Sequence, residues 1–275
     1  MTPQGSPTIV LVSSSRDIAS MNMVQRLVER HGFSSTKIML MGKEVLQKNS
    51  FLLVNLDTEL VDAPNLDEYF NPLAYVFLSR HRAESGISSL TVHTTGNFSK
   101  EVELGGRARE LGRVNPDLLK NYFIALKKRQ GELNDYVVTL EATHHGPTSL
   151  MKPVIFVEIG PAEPNWKDER AGAVVVDALM EALSSPKGWE RVALAFGGTH
   201  YPEKFNRLLF ESDVALASVA AKYSLGDVDS EMFGQMIQKS SRFPKYVAID
   251  RKGMGRHKDK ILALAEQFAL EVMKL

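Results

Sequence analysis

The chain has 275 residues, of which 44% are hydrophobic, and its 33 basic residues balance 33 acidic ones. A chain of this length buries a substantial core, and zero net charge argues against a protein that coats nucleic acid non-specifically, because such binding needs a basic excess. No apolar run is long enough to span a bilayer, and residues 1–7 lack the pattern of a signal peptide. We therefore expect a cytoplasmic protein without membrane contact.

The chain contains no cysteine, which excludes disulfide bonds and cysteine-ligated zinc. A transition metal would have to be held by His, Asp or Glu side chains. The positions of the seven histidines therefore decide whether a metal site is to be expected.

Short β-branched runs alternate with amphipathic stretches along the whole chain. The first predicted strand is 8–13, and the helix that follows, Ile18–His31, ends at Gly32. Its apolar spacing places Ile18, Met21, Val24, Leu27 and Val28 on the buried face. Further strands are predicted at 37–41, 51–55, 75–79, 90–93, 136–141, 154–159, 191–196 and 246–250. Further helices are predicted at 115–129, 168–183, 202–210, 229–239 and 258–275.

Apolar strands interleaved with helices are typical of an α/β fold with a mostly parallel mixed sheet and helices on both faces. We predict a three-layer arrangement in a single catalytic domain over residues 1–275, with residues 86–114 as a small irregular subdomain. No Gly-x-Gly-x-x-Gly turn follows the first strand, which weakens a dinucleotide-binding interpretation.

Polar side chains collect at the ends of the predicted strands. Five of the seven histidines lie there, namely His81, His93, His144, His145 and His200. Glu141 and Glu158 end strands in the same manner. Because ligands of open α/β sheets bind beyond the carboxyl ends of the strands, we expect these groups to meet at one edge of one sheet. For His31 and His257 a solvated position is the better interpretation.

The segment Glu141-Ala-Thr-His144-His145-Gly146-Pro147-Thr148 is the most informative one. A β-run precedes it and Gly-Pro follows, so we do not expect the helix of a metalloprotease. Adjacent side chains in extended backbone point to opposite faces, which predicts one histidine as ligand or base and the other as its support. The alternative is a turn with two exposed imidazoles.

A second loop follows strand 191–196. Gly197 and Gly198 permit close backbone approach, and their N–H groups suit a developing oxyanion, with Thr199 and His200 beside them. The alternative is a tight connection that needs glycine for geometry alone.

Arginines and basic runs suggest further contacts. Arg80 and Arg82 flank His81 and suit phosphate recognition, with a solvated loop ion-paired to Glu84 as the competing interpretation. Asn97 is a candidate carbonyl or ribose contact.

Two basic runs lie outside these loops. Residues 127–129 end a helix, where cations favour the helix dipole whatever the function. Arg251 and Lys252 instead follow a strand and are a candidate contact to an RNA backbone.

Four ordered segments, residues 79–86, 90–98, 141–148 and 197–201, resemble the archaeal and plant type of D-aminoacyl-tRNA deacylase. The Thr143-His-His-Gly-Pro-Thr148 and Gly197-Gly-Thr-His-Tyr201 segments are the specific ones. Residues 17–22 and 250–253 resemble flanking motifs, with Arg251 where an aromatic residue is expected. The resemblance implies a phosphorylase/hydrolase-like fold and a zinc-dependent, cytosolic hydrolase acting on D-amino acids esterified to the tRNA 3′ end.

The loops and the resemblance together predict hydrolysis of D-aminoacyl-tRNA. Metal ligands are predicted among His93, His144, His200 and Glu158, with Zn²⁺ as the cofactor. Catalytic groups are predicted at His144, His145, Glu141 and Asn97. Contacts to substrate and tRNA are predicted at Arg80, His81, Arg82, Gly197, Gly198, Thr199, Arg251 and Lys252.

We expect a monomer that acts on the 3′ end of D-aminoacyl-tRNA and has no obligatory protein partner. A metal-free site stays open, with a histidine as general base and Asn97 orienting the substrate. The competing functions are a zinc amidohydrolase or carboxypeptidase for small peptides and a non-catalytic protein that binds RNA ends.

Overall fold

The computed structural model describes residues 9–102 and 104–275, so residues 1–8, including the start of the first predicted strand, lie outside the described residues. The strands are β1 Ile9–Ser14, β2 Ser34–Leu40, β3 Lys43–Lys48, β4 Phe51–Leu56, β5 Ala74–Arg80, β6 Ser89–His93, β7 Gly96–Asn97, β8 Glu110–Leu111, β9 Val137–Leu140, β10 Val154–Gly160, β11 Arg191–Phe196, β12 Val214–Ala220, β13 Tyr246–Ile249 and β14 Glu271–Lys274. The helices are α1 Ile18–His31, α2 Pro116–Lys128, α3 Glu163–Trp166, α4 Glu169–Ser184, α5 Glu203–Glu211, α6 Ser230–Gln238 and α7 Lys258–Gln267.

The strands form two main sheets. The larger has eight strands in the order β2-β3-β4-β1-β5-β10-β6-β9, and the smaller has four in the order β12-β11-β13-β14, while β7 and β8 pair by themselves. All neighbours in the four-stranded sheet are parallel, as are β4-β1-β5-β10 and β6-β9 in the larger sheet. The predicted α/β class with a mostly parallel mixed sheet is confirmed.

Helices cover the sheets unequally. Helices α1, α2 and α4 pack on one face of the eight-stranded sheet, and the other face is covered by the 3₁₀ turns Leu60–Asp62 and Leu66–Glu68 with their neighbouring loops. The four-stranded sheet has α6 and α7 on one face and α5 on the other. One apolar core thus includes residues of both sheets.

The buried face of α1 differs from the prediction. Met23 and Leu27 are fully buried, whereas Ile18 and Val28 are 40% and 41% exposed. Asn22 takes a place on the buried face because its Nδ2 donates to two backbone carbonyls before α4, at 3.0 and 2.8 Å. The helix therefore buries a different face from the one that its apolar spacing predicts, because the polar Asn22 finds hydrogen-bond acceptors there.

Five strands were not predicted from the sequence, namely the two-residue strands β7 and β8 and the longer strands β3, β12 and β14. The helix predicted over 258–275 is wrong in its second half, because α7 ends at Gln267 and Ala269 adopts a left-handed φ of 54°. The chain then extends into β14, which pairs in parallel with β13.

The two sheets are joined at their edge strands β9 and β12. Beyond β9, the amide of Ala142 donates to the carbonyl of His200 and that of Thr143 to the carbonyl of Val219, both at 2.9 Å. The amide of Val219 in turn donates to Thr143 Oγ1 at 2.9 Å, and Thr143 Oγ1 lies 2.7 Å from Thr94 Oγ1. The segment after β9 thus bonds both the edge strand β12 and the loop after β11, and it is held between the two sheets.

The substitution Thr143→Val tests this junction. It keeps the shape of the side chain but leaves the buried amide of Val219 without an acceptor, which costs about 1–3 kcal/mol. We expect a lower midpoint of urea unfolding. Thr36→Val is the control, since its hydroxyl bonds a carbonyl in the β2–β3 hairpin at the surface, and its midpoint should change little. Equal midpoints for Thr143→Val and the wild type would contradict this role of Thr143.

Candidate active site

Four imidazoles from distant segments meet in one cluster. The ring centroids of His93 and His144 lie 4.1 Å apart, those of His144 and His145 4.4 Å, and those of His144 and His200 4.7 Å. The expected convergence of these histidines is therefore observed.

The histidines do not meet at the carboxyl edge of one sheet, so that prediction is wrong. Strands β6 and β9 run opposite to β5 and β10, and His200 follows β11 in the other sheet. His93 instead lies opposite Phe156, inside β10, and its ring stacks on that phenylalanine at 5.2 Å. The cluster therefore lies on a face of the eight-stranded sheet, next to the junction between the two sheets.

His145 lies on the same side of the chain as His144. The predicted alternation fails because His145 has a φ of 42°, in the left-handed region, and extended backbone is required for neighbouring side chains to diverge. One ring nitrogen from each of His93, His144 and His145 falls within 4.8 Å of the others.

The orientation of these three rings is fixed by backbone carbonyls. Nδ1 of His93, His144 and His145 lies 3.1, 2.8 and 2.7 Å from a nearby carbonyl oxygen. A carbonyl only accepts, so Nδ1 carries the hydrogen and Nε2 of the neutral ring has a free lone pair. Nε2 of His93 is buried and has no hydrogen-bond partner among residues 9–102 and 104–275. Three such imidazoles are a donor set that fits Zn²⁺.

Burial keeps two of the imidazoles neutral. Loss of water and then the charge of His93 lower the pKa of His145 to about 4, and the same two causes lower the pKa of His144. Burial acts in the same sense on His93, but the neighbouring Glu158 outweighs it and raises the pKa of that ring. Neutral imidazoles are the form that binds a metal.

Glu141 lies buried behind the imidazoles. Its Oε2 is 2.9 Å from His200 Nε2 and 3.6 Å from His144 Nε2, and its Oε1 is 3.1 Å from His81 Nδ1. Burial alone would raise its pKa, but the hydrogen bond from His200 and the nearby imidazoles lower the pKa of Glu141 to about 2. Glu141 is therefore ionised, and with His144 and His200 it forms a second group of suitable metal ligands.

Glu158 is the second buried carboxylate. Its Oε1 lies 3.6 Å from His93 Nε2, and its Oε2 lies 3.4 Å from His81 Nδ1. Burial opposes ionisation, but these two imidazoles hold the pKa of Glu158 well below its usual range. His81, predicted beside the substrate-binding arginines, thus lies with the carboxylates in a third possible ligand group.

A cavity of about 450 Å³ opens onto the cluster. His144, His145 and His200 face it, together with Tyr223 and the loop that begins at Asn97. Asn97 Nδ2 donates to the carbonyls of Gly105 and Arg107, at 2.9 and 3.2 Å, so this amide holds the cavity wall in place.

The two predicted arginines lie at the end of β5, with Arg80 as its last residue and Arg82 just beyond it. Arg80 is ion-paired with Glu59 at 2.7 Å, rather than with Glu84, and it also donates to a backbone carbonyl. Arg82 is exposed, with its guanidinium 5.3 Å from the ring centre of Trp166.

The Gly-Gly turn has the conformation that requires glycine, with φ of 101° at Gly197 and 77° at Gly198. The amide of Gly197 donates to the carbonyl of Ala220 at 2.9 Å, so it is engaged within the fold. Thr199 is exposed and bonds the carbonyl of Tyr201.

Two tyrosines of the site were not predicted. Tyr201 OH lies 2.8 Å from His81 Nε2, and Tyr223 OH lies 2.9 Å from His200 Nδ1. Tyr201 could have been found from the Gly-Gly-Thr-His-Tyr segment that contains it. Tyr223 follows β12, a strand that the sequence analysis did not identify.

The neutrality of His145 gives a pH test on metal-free protein. With a pKa of about 4, His145 should show no midpoint between pH 8 and 5. The unfolded histidine takes its proton near pH 6.5, so the stability this residue contributes is complete above that pH and is lost as the pH falls towards 4. ¹⁵N NMR of the imidazoles, assigned with the variant His145→Asn, measures this. A midpoint near 6.5 would contradict the proposed environment.

Among the described residues, no helix is both long and apolar enough to cross a membrane.

The profile of the D-aminoacyl-tRNA deacylase family matches residues 69–273. The D-aminoacyl-tRNA deacylase of Cenarchaeum symbiosum is 35% identical over 264 residues, covering 96% of this chain and 98% of the relative. That of Pyrococcus furiosus is 32% identical over 274 residues, covering 96% and 99%.

A solved structure described as a conserved protein of unknown function has a TM-score of 0.90 and 29% identity, covering 99% of this chain and 96% of that one. The matched region of the family profile includes all five clustered histidines and both buried glutamates. The chain belongs to the D-aminoacyl-tRNA deacylase family.

Proposed function

We propose that this protein hydrolyses the ester bond of D-aminoacyl-tRNA and releases the free D-amino acid and tRNA. Family membership supports the substrate class. The observation that carries the chemistry is the cluster of imidazoles that faces a cavity of about 450 Å³, with buried carboxylates directly behind them. Removal of D-amino acids from mischarged tRNA is a quality-control step of translation, and we propose the cytoplasm as its location and the monomer as the acting form.

We further propose that the site holds Zn²⁺, with His93, His144 and His145 as ligands. Three observations support this set: the accepting Nε2 atoms, the lowered pKa values of His144 and His145, and the buried Nε2 of His93, which forms no hydrogen bond within the described residues. This set adds His145 and omits two of the ligands expected from the sequence, His200 and Glu158. His200 already bonds Glu141, and Glu158 lies beside His81 and His93. A bound zinc ion would polarise the ester carbonyl and lower the pKa of water.

His200 is the general base in this proposal. The carboxylate of Glu141 accepts the Nε2–H of His200, so Nδ1 is the basic atom, and it faces the hydroxyl of Tyr223 at 2.9 Å. A proton taken up at Nδ1 would give an imidazolium beside an ionised carboxylate, the arrangement in which a buried cation is stabilised. Glu141 therefore orients His200 and compensates its charge.

Selection between the two enantiomers rests on the cavity walls. The ester carbonyl must face the imidazoles, so the side chain and the α-hydrogen of the amino acid point towards different walls in the D and L forms. The wall held by Asn97 is fixed by two hydrogen bonds, so it cannot move aside at low cost. We propose that this wall excludes the L-aminoacyl ester, and that Arg82, Arg251 and Lys252 contact tRNA phosphates.

The direct test compares D-tyrosyl-tRNA with L-tyrosyl-tRNA. The purified protein should release D-tyrosine and leave the L-ester intact. Glu141→Gln should lower kcat/KM by about 100-fold or more, because His200 loses both its orientation and its counter-charge. The matched control is Glu163→Gln, which removes an exposed carboxylate paired only with Lys167. Equal turnover of both enantiomers, or activity on peptides alone, would reject the proposal.

A further inference from the structure

The carboxyl edge of the four-stranded sheet carries three consecutive turns. Strand β11 lies between β12 and β13 and is parallel to both, so all three strands end at the same edge. They continue into the Gly197–Gly198 turn, the 3₁₀ turn Lys222–Ser224 and the 3₁₀ turn Arg251–Gly253. This edge is where open α/β sheets bind ligands.

These three turns pack on one another as one surface. The amide of Lys222 donates to the carbonyl of Gly198 at 3.0 Å. A Cβ built on Gly253 would lie only 2.1 Å from the amide nitrogen of Gly198, and one on Gly255 would lie 3.8 Å from Lys222 Cε. The glycines therefore let the chain segments that carry the basic side chains come close together.

Four cations stand on this surface, and we call it the basic edge: Lys222, Arg251, Lys252 and Arg256. All four are exposed, and none forms an ion pair with a carboxylate in the part of the chain that the structure describes. Exposed arginines elsewhere do form such pairs, as Arg207 does with Glu211. Asp250, the carboxylate within the third turn, is paired with Lys204 at 2.9 Å. In a chain of zero net charge, the basic edge is thus a local excess of positive charge.

An aromatic ring joins the basic edge to the cavity. Tyr223 follows Lys222 directly, is 59% exposed and lines the cavity. Its hydroxyl lies 2.9 Å from His200 Nδ1, and the two rings are inclined by 24° with centroids 6.3 Å apart. The ring is therefore held in one orientation at the cavity mouth.

We propose that the basic edge binds the single-stranded 3′ end of tRNA, with phosphates on Lys222, Arg251, Lys252 and Arg256 and a terminal base stacked on Tyr223. Positive side chains that follow a backbone, combined with an aromatic ring for a base, are the features that bind single-stranded nucleic acid. This inference rests on the proposed function, because the basic edge would position the tRNA whose ester bond is hydrolysed in the cavity. The other candidate side, at Arg80 and Arg82, offers less, since Arg80 is already paired with Glu59.

The double variant Lys222→Ala/Arg256→Ala tests the phosphate contacts. On D-tyrosyl-tRNA its KM should rise by about 10-fold or more, and log(kcat/KM) against log[salt] should become shallower by about 1 to 1.5. On the D-tyrosyl ester of adenosine, which has no phosphate, kcat/KM should equal that of the wild type. Lys128→Ala is the matched control, because it removes an exposed lysine from the end of α2. It should behave as the wild type on both substrates.

The stacking contact is tested at Tyr223. Tyr223→Leu should raise the KM for D-tyrosyl-tRNA well above that of Tyr223→Phe, which keeps the ring and loses only the hydroxyl contact with His200. Equal KM values for the Leu and Phe variants would overturn the stacking role.

Three outcomes for the phosphate contacts would overturn the basic edge. They are an unchanged KM and salt slope in the double variant, an equal loss on both substrates, and the same loss in Lys128→Ala. If the wild type hydrolyses no D-aminoacyl ester, the proposed function fails separately. The basic edge is then judged by binding of uncharged tRNA, for which the double variant should again show the shallower salt slope.

Discussion

The two sheets meet at a short junction after β9, and its hydrogen bonds bring the segment with Glu141, His144 and His145 against His200. The amides of Ala142 and Thr143 reach across to the carbonyls of His200 and Val219. Glu141 directly follows β9 of the eight-stranded sheet and His200 lies in the loop after β11 of the other, so their 2.9 Å contact depends on the junction between the sheets. Unpaired edge amides buried at this place would be costly, which makes the junction a strict constraint rather than an incidental contact.

The junction also brings an unusual set of charges into the interior. Glu141 and Glu158 are buried and ionised, and an isolated buried carboxylate is strongly unfavourable unless a positive partner compensates it. His81 and His93 lie beside these carboxylates, which raise the pKa of both imidazoles despite their burial. His144 and His145 remain neutral beside them. The proposed divalent cation would take over the compensating role, and its binding would release protons from the cluster.

The strand-end positions of the histidines predicted a common site. The local sequence pattern could not predict the direction and order of the strands that bring these histidines together. Strand alternation failed at His145, because a left-handed φ depends on the packing of that turn and not on its residue types. The run Val214–Ala220 is apolar at every position except Ser218, so it shows no alternation of apolar and polar residues, and β12 was missed together with Tyr223. Likewise, the burial of Asn22 on α1 depends on carbonyls more than 140 positions away in sequence. Residue type therefore identified the chemistry of the site, whereas contacts distant in sequence determined its geometry.

Anomalous diffraction at the zinc absorption edge, from crystals of the zinc-loaded protein, tests the central claim most directly. Three imidazoles whose Nδ1 atoms bond backbone carbonyls predict one strong peak at about 2.0–2.1 Å from Nε2 of His93, His144 and His145. A fully loaded, active protein with its only peak outside the histidine cluster would contradict the account.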